Sequence, residues 1–217
     1  MILEEIFLME YNFVLRGNVL YTPQCGALSV HPHSYLVCEG GQVAGIFEEL
    51  PEAYRNFPVE DFGDKMILPG LVDLHVHAGQ YAFRGLGMDQ ELLAWLEQNA
   101  FPEESRFADA SYAVRAYPIF VDALRRSATT RACIFATLHR PAILQLMHLL
   151  EDAGMPCYVG KVNMDRNSPD TLRETTEESL AETRRWLEES RAFSQVRPIL
   201  TPRFIPSCTD ALMAGLG

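Results

Sequence analysis

The sequence predicts an α/β fold in two parts, and three observations support this prediction. Short apolar runs separated by turn residues fill residues 1–68 and are typical of an antiparallel β segment. From Pro69 onward, apolar strand-like runs alternate with helical periodicity, which indicates βα units around a parallel sheet. Residues 69–217 are too few for a complete (β/α)₈ barrel, which takes about 250 residues. They fit either a small open α/β sheet or the first four βα units of an incomplete TIM-like barrel.

Three strands are predicted in the first part. Residues 12–21 form the first strand. Residues 34–38 and Gln42–Phe47 form two more, on either side of Glu39-Gly40-Gly41, a sequence suited to a hairpin turn. The first part is therefore expected to be an antiparallel sheet.

Four strands are predicted in the second part, at residues 67–77, 129–137, 157–164 and 196–204. A helix is predicted at residues 141–153, because Pro141 suits a first helical turn and Gly154 ends the apolar stripe. A second helix is predicted at residues 176–193, opened by a capping box that begins at Thr175. Residues 210–216 begin a further helix, so the second, third and fourth predicted strands are each followed by a predicted helix.

Charge and composition narrow the functional classes. With 18 Lys and Arg against 29 Asp and Glu, the net charge is −11, which argues against a partner that is nucleic acid. No run of 18 apolar residues occurs, and the first residues lack the basic start of a signal peptide, so no membrane partner is expected. Five cysteines without a CxxC motif favour a reduced, cytoplasmic protein.

Residues 68–77, Leu-Pro-Gly-Leu-Val-Asp-Leu-His-Val-His, carry the strongest functional signal. Side chains alternate between the two faces of a strand, so Asp73, His75 and His77 share one face. Ionisable groups on an apolar strand are costly unless a partner satisfies them, and a divalent metal such as Zn²⁺ does so with neutral imidazoles. The residues of the other face, expected to pack under the helices, are Val72, Leu74 and Val76.

An HxH pair alone fits two interpretations, a metal site or two histidines hydrogen-bonded in a core. The same chain contains His31-Pro32-His33, which includes a proline and is expected in a loop without a surrounding strand. No function is assigned to that pair. The pair formed by His75 and His77 differs because it follows Pro-Gly-x-x-Asp at the end of an apolar strand.

At these residues the chain resembles the amidohydrolase superfamily, in which this motif closes the first barrel strand. Further similar segments follow in order at residues 77–85, 91–96, 100–103, 135–137, 159–165, 174–179 and 201–208. Together they resemble the guanine deaminase family of that superfamily. His-Ala-x-Gln-Tyr at 77–81 and Thr-Pro-Arg-Phe at 201–204 are the most specific segments. The resemblance covers nearly all of residues 69–217 and is weak before residue 60.

The resemblance implies roles for individual residues. His75 and His77 would bind Zn²⁺, and His77 would also contact the substrate. Guanine would be bound by Gln80, Arg203 and Phe204. The chemistry agrees, because the guanidinium is a forked donor, the amide both donates and accepts, and the phenyl ring can cover a flat purine. Without the resemblance, the favoured interpretation of Arg203 is a surface ion pair and that of Phe204 is a core aromatic.

The resemblance also implies an amidohydrolase-type barrel, present in part, preceded by a small N-terminal β-sandwich segment. The implied reaction is zinc-dependent hydrolytic deamination of guanine to xanthine and ammonia, by an enzyme that is a homodimer at full length. The proton-shuttling Glu and the metal-binding Asp of the family are expected beyond Gly217. We therefore expect the 217-residue chain alone to be inactive and to bind Zn²⁺ weakly.

Other interpretations remain at this point. An amidohydrolase acting on another heterocycle and a non-catalytic half-barrel both fit the sequence. His139 follows the second strand and is interpreted as a structural or outer-sphere residue. It would be the first further ligand to consider if the chain alone were active, with Glu103 or Glu104 as proton shuttle. A zinc deaminase of the P-C-x-x-C type is excluded because Gly160, and not a second cysteine, stands three residues after Cys157.

Overall fold

The computed structural model describes residues 11–217, and the chain divides into two compact units after Pro69. The first unit contains one mixed sheet of four strands in the order β3-β2-β1-β4. The strands are β1 (Phe13–Gln24), β2 (Ala27–Glu39), β3 (Gln42–Phe47) and β4 (Val59–Ile67). The predicted hairpin between β2 and β3 is confirmed, and Gly40 and Gly41 both have positive φ, as its two-residue turn requires.

Two predictions for the first unit are wrong. Strand β4 was not predicted, and it pairs with β1 in parallel, so the sheet is not purely antiparallel. His31-Pro32-His33 lies inside β2 rather than in a loop. A bulge opposite Gly17 and Val19 accommodates the proline, because the pairing register shifts there and His33 takes a φ of 49°. The predicted sandwich is not confirmed, since residues 11–69 contribute a single sheet.

The second unit contains parallel strands, as predicted. Strands β5 (Leu71–His77), β6 (Thr129–Phe135), β7 (Tyr158–Gly160) and β9 (Arg197–Pro198) form one sheet in that order. Two shorter strands, β8 (Val162–Asn163) and β10 (Thr201–Pro202), pair in parallel beyond it. The described strands do not close into a barrel.

Three of the four predicted strands of this unit are interrupted. The strand predicted at 67–77 is broken between β4 and β5 at residues 68–70. Gly70 lies so close to β6 that a Cβ would come within 2.1 Å of Thr130 Cγ2, so only glycine fits there. The strands predicted at 157–164 and 196–204 are each split in two, at Lys161 and at residues 199–200.

Six α-helices connect and follow the strands of the second unit. They are α1 (Leu92–Trp95), α2 (Phe101–Ser105), α3 (Ala110–Arg125), α4 (Arg140–Asp152), α5 (Thr176–Glu189) and α6 (Asp210–Leu216). The predicted capping box is confirmed at the start of α5, where Thr175 and Glu178 hydrogen-bond each other's backbone N–H groups. The helix ends at Glu189, four residues before its predicted end, and a short 3₁₀ turn follows.

Helices α3 and α4 pack on the sheet and bury its apolar residues. Ile134 and Val159 of the strands and Leu146 of α4 are fully buried. The prediction that the apolar face of β5 packs under helices holds only for Val76. Val72 and Leu74 are 53% and 74% exposed. Among the described strands, β5 is an edge strand that pairs with β6 on one side only.

Glu151, in the last turn of α4, anchors the loop that leads into β9. Its carboxylate accepts backbone N–H groups from Ser194, Gln195 and Val196, and also the Ser194 hydroxyl. The Ser194 hydroxyl, followed by the backbone N–H groups, lowers the pKa of Glu151 to about 2. The charged carboxylate therefore stabilises the folded chain.

We expect Glu151→Gln to lower the free energy of unfolding at pH 7 by about 1.5–3 kcal/mol, because N–H donors lose a charged acceptor. The folded pKa lies below the usual 4.5, so this stabilisation is complete above pH 4.5 and is lost as pH falls towards 2. Urea unfolding of both chains, followed by tryptophan fluorescence, should give a smaller difference at pH 3 than at pH 7. The exposed neighbour variant Asp152→Asn is the control and should match wild type. Equal midpoints for Glu151→Gln and wild type at pH 7 would contradict this interpretation.

Candidate active site

The two histidines of β5 converge at the carboxyl end of the strand. The Nε2 atoms of His75 and His77 are 3.2 Å apart. Phe135 at the end of β6 packs against both rings, with centroid distances of 4.6 and 4.7 Å. Asp73 shares the face but uses its carboxylate to accept the backbone N–H of His75. The histidine rings are therefore presented together, and Asp73 supports the backbone that carries them.

The geometry of this pair fits two ligands of one zinc ion. Nitrogen ligands of tetrahedral zinc lie about 2.0–2.1 Å from the metal, which places them about 3.3 Å apart. Burial lowers the pKa of His77 to about 3, and the charges of Arg203 and His75 act in the same direction, so the ring is neutral, as a ligand must be. Within residues 11–217, no group of three or more His, Cys, Asp or Glu side chains is placed to hold a metal.

All five side chains predicted to form the site line one cavity of about 630 Å³. They are His75, His77, Gln80, Arg203 and Phe204. Gln80 lies in the 3₁₀ turn Ala78–Phe83 that directly follows β5, and Arg203 and Phe204 directly follow β10. The carboxyl ends of parallel strands meet at one edge of a sheet, which explains how segments about 125 residues apart in the sequence converge.

Arg203 makes a buried ion pair rather than a surface one. Its side chain is 5% exposed, that of Glu104 is 3% exposed, and the two are hydrogen-bonded. Oε1 of Glu104 also accepts a hydrogen bond of 2.9 Å from Gln80 Nε2. Two predicted purine-binding residues are thus joined by one carboxylate of α2.

Apolar side chains for which no role was predicted complete the cavity. Phe83, Trp95 and Leu96 line it together with Leu92. Trp95 packs on Phe83 at a centroid distance of 5.5 Å and donates its indole N–H to the Leu86 carbonyl, so its ring is held in place. The apolar run at residues 92–96 was the available signal, but spacing alone does not distinguish a cavity wall from core.

His139, His148 and Glu103 lie outside this cavity. His139 precedes α4, and burial, with the charge of Lys161, lowers its pKa. Its Nε2 is buried without a partner among the described residues. His148, on α4, packs against Phe193. Glu103 binds Arg106 and the Tyr112 hydroxyl.

Comparison with known proteins places the chain in a family. The profile described as Amidohydrolase family matches residues 66–216. The chain belongs to this family. It is 36% identical to the guanine deaminase of Dictyostelium discoideum, over 97% of this chain and 52% of that protein. It is 44% identical to the guanine deaminase of Rattus norvegicus, over 96% of this chain and 48% of that protein.

A solved structure shares the fold. The guanine deaminase from C. acetobutylicum, with guanine bound in its active site, superimposes with a TM-score of 0.88 at 41% identity. The match covers 94% of this chain and 49% of that structure. The α/β fold is therefore of the amidohydrolase type, and the chain spans about half the length of the curated relatives it matches. No helix in residues 11–217 is long and apolar enough to cross a membrane.

Proposed function

We propose that the chain contributes the metal-binding histidine pair and the purine-binding side chains of a zinc-dependent guanine deaminase. The observation that carries this proposal is the convergence of His75, His77, Gln80, Arg203 and Phe204 on one cavity. The similarity to guanine deaminases along nearly the whole chain supports guanine as the substrate.

The cavity suits a flat, polar heterocycle. Arg203 offers several N–H donors in a rigid plane for the acceptor atoms of guanine, and Gln80 offers both an acceptor and a donor. Phe204 and Trp95 supply aromatic surface on the same cavity. These side chains would hold the ring so that its amino-bearing carbon faces the histidine pair.

The reaction replaces the amino group of guanine by a carbonyl oxygen, consuming one water and releasing ammonia. His75 and His77 would hold zinc through Nε2, and bound zinc would supply the Lewis acid that lowers the pKa of water. A catalytic zinc site has three protein ligands, so at least one further ligand would join this pair in the working site. A proton-transferring carboxylate would act beside it.

We further propose the architecture of the whole protein at the length of its relatives. The parallel strands of residues 71–202 would form the first four βα units of a closed barrel. The sheet of residues 13–67 would be one layer of a β-sandwich. The whole enzyme would be a cytoplasmic homodimer without nucleic-acid or membrane partners, consistent with the excess of acidic residues.

The test compares the 217-residue chain with a completed protein, in which this chain is joined to the half of the rat guanine deaminase that it does not match. We expect the completed protein to bind stoichiometric zinc and to convert guanine to xanthine, as followed by ultraviolet absorbance. The chain alone should bind zinc weakly and show no turnover, because it supplies two ligands. A completed protein that folds without turnover would favour a non-catalytic half-barrel and contradict the proposal.

A further inference from the structure

Glu104 is a buried acidic residue that touches no metal candidate and yet contacts two side chains of the cavity. Its Oε1 accepts from Gln80 and its Oε2 accepts from Arg203. We infer that Glu104 is a positioning residue. It orients the Gln80 amide and the Arg203 guanidinium towards a purine that has both an N–H donor and an acceptor on its edge. This inference rests on the proposed function, because it assigns Glu104 to the same guanine site.

The contact with Gln80 determines which end of its amide faces the cavity. A carboxylate only accepts hydrogen bonds, so it pairs with the NH₂ end of the amide and never with the carbonyl oxygen. The hydrogen bond of 2.9 Å therefore holds Nε2 on Glu104 and leaves the carbonyl oxygen, with one N–H, for a ligand. Without the carboxylate the amide would rotate, and the acceptor and donor presented to the substrate would exchange places.

The contact with Arg203 sets the plane of the guanidinium. One terminal nitrogen, Nη1, is used by Glu104, and Cζ lies 5.4 Å from the centre of the Phe101 ring. Phe101 and Glu104 both belong to α2 and are both buried. Two buried side chains of one short helix thus contact the guanidinium of Arg203, which also lines the cavity.

The hydrogen bonds of Glu104 fit a positioning role rather than proton transfer. Both oxygens of Glu104 already accept hydrogen bonds from side chains of this chain, and the carboxylate is 3% exposed. A shuttle needs an oxygen that reaches water and the substrate. Glu104 therefore acts through Gln80 and Arg203, and the interpretation of Glu104 as the shuttle is not supported.

The test is Glu104→Gln in the completed protein. The new amide offers one acceptor to two donors, so one of the two contacts is lost while size and shape are kept. We expect kcat/KM for guanine to fall about 10- to 100-fold, mainly through KM, with zinc content near wild type. The melting temperature should fall as well, because the buried Arg203 guanidinium loses its charged partner. The matched control is Glu103→Gln, since Glu103 is the adjacent carboxylate and contacts Arg106 and Tyr112 instead. Its kinetics should stay within about twofold of wild type.

A double-variant cycle distinguishes positioning from general stabilisation. In a Gln80→Ala background, Glu104→Gln should lose part of its effect on kcat/KM, because one of its two targets is gone. Strictly additive effects, or wild-type kcat/KM in Glu104→Gln, would overturn the inference. If Glu104→Gln fails to fold, Glu104→Asp decides: it keeps the charge at a shorter reach, and wild-type kinetics would overturn the role. A completed wild-type protein without guanine turnover would instead overturn the proposed function, together with this inference.

Discussion

Replacing His75 and His77 together by alanine in the completed protein should abolish zinc binding and lower kcat for guanine by about 10⁴-fold or more. The reason is the 3.2 Å separation of the two Nε2 atoms, which fits two ligands of one ion. Removing both leaves too few ligands for a catalytic site. Zinc is measured by elemental analysis and turnover by the loss of guanine absorbance.

The matched control for this prediction is the other HxH pair of the chain. His31→Ala with His33→Ala removes two histidines of β2, where His31 stacks on Tyr21 and hydrogen-bonds Ser29. Zinc content and turnover should remain at wild-type values in this control. Stoichiometric zinc with wild-type turnover after loss of His75 and His77 would remove them from the metal site.

Replacing Arg203 by alanine should lower kcat/KM for guanine by about 10²- to 10³-fold and leave zinc content near normal. The variant removes the forked donor from the cavity and also leaves the buried Glu104 carboxylate without its cationic partner, which costs stability. Arg203→Lys separates the two effects, because it keeps the charge but not the planar fork. It should fold normally and still lose about tenfold in kcat/KM.

The control for Arg203 is Arg106→Ala, which removes a guanidinium that stacks on Tyr112 and pairs with Glu103. It should retain wild-type kinetics. Unchanged kcat/KM in both Arg203→Ala and Arg203→Lys would exclude Arg203 from substrate binding.

Local sequence patterns predicted those parts of the fold that local physics determines. The hairpin at Gly40 and Gly41 and the capping box at Thr175 depend on residues that are neighbours in the chain. Strand β4 depends on pairing with β1, about 45 residues away, and the bulge at His33 depends on the register between β1 and β2, whose paired residues there are 12 to 17 positions apart. Such pairing leaves no periodic signal in the sequence, so both were missed.

The same distinction applies to the site. His75 and His77 could be placed together because they are two residues apart on one strand. Glu104 could not be placed against Gln80 and Arg203, because 24 and 99 residues separate it from them. Only the three-dimensional structure brings a carboxylate of α2 between the segments that follow β5 and β10.

The selectivity of the completed protein tests the central claim, guanine deamination, most directly. The measurement is kcat/KM for guanine beside that for adenosine, cytosine and an amino-triazine under one set of conditions. The cavity and its Gln80 and Arg203 pair predict a preference for guanine of at least about 100-fold, since unpaired buried polar groups penalise a ring with a different donor and acceptor pattern. Equal or greater kcat/KM for any of the other rings would contradict the assignment.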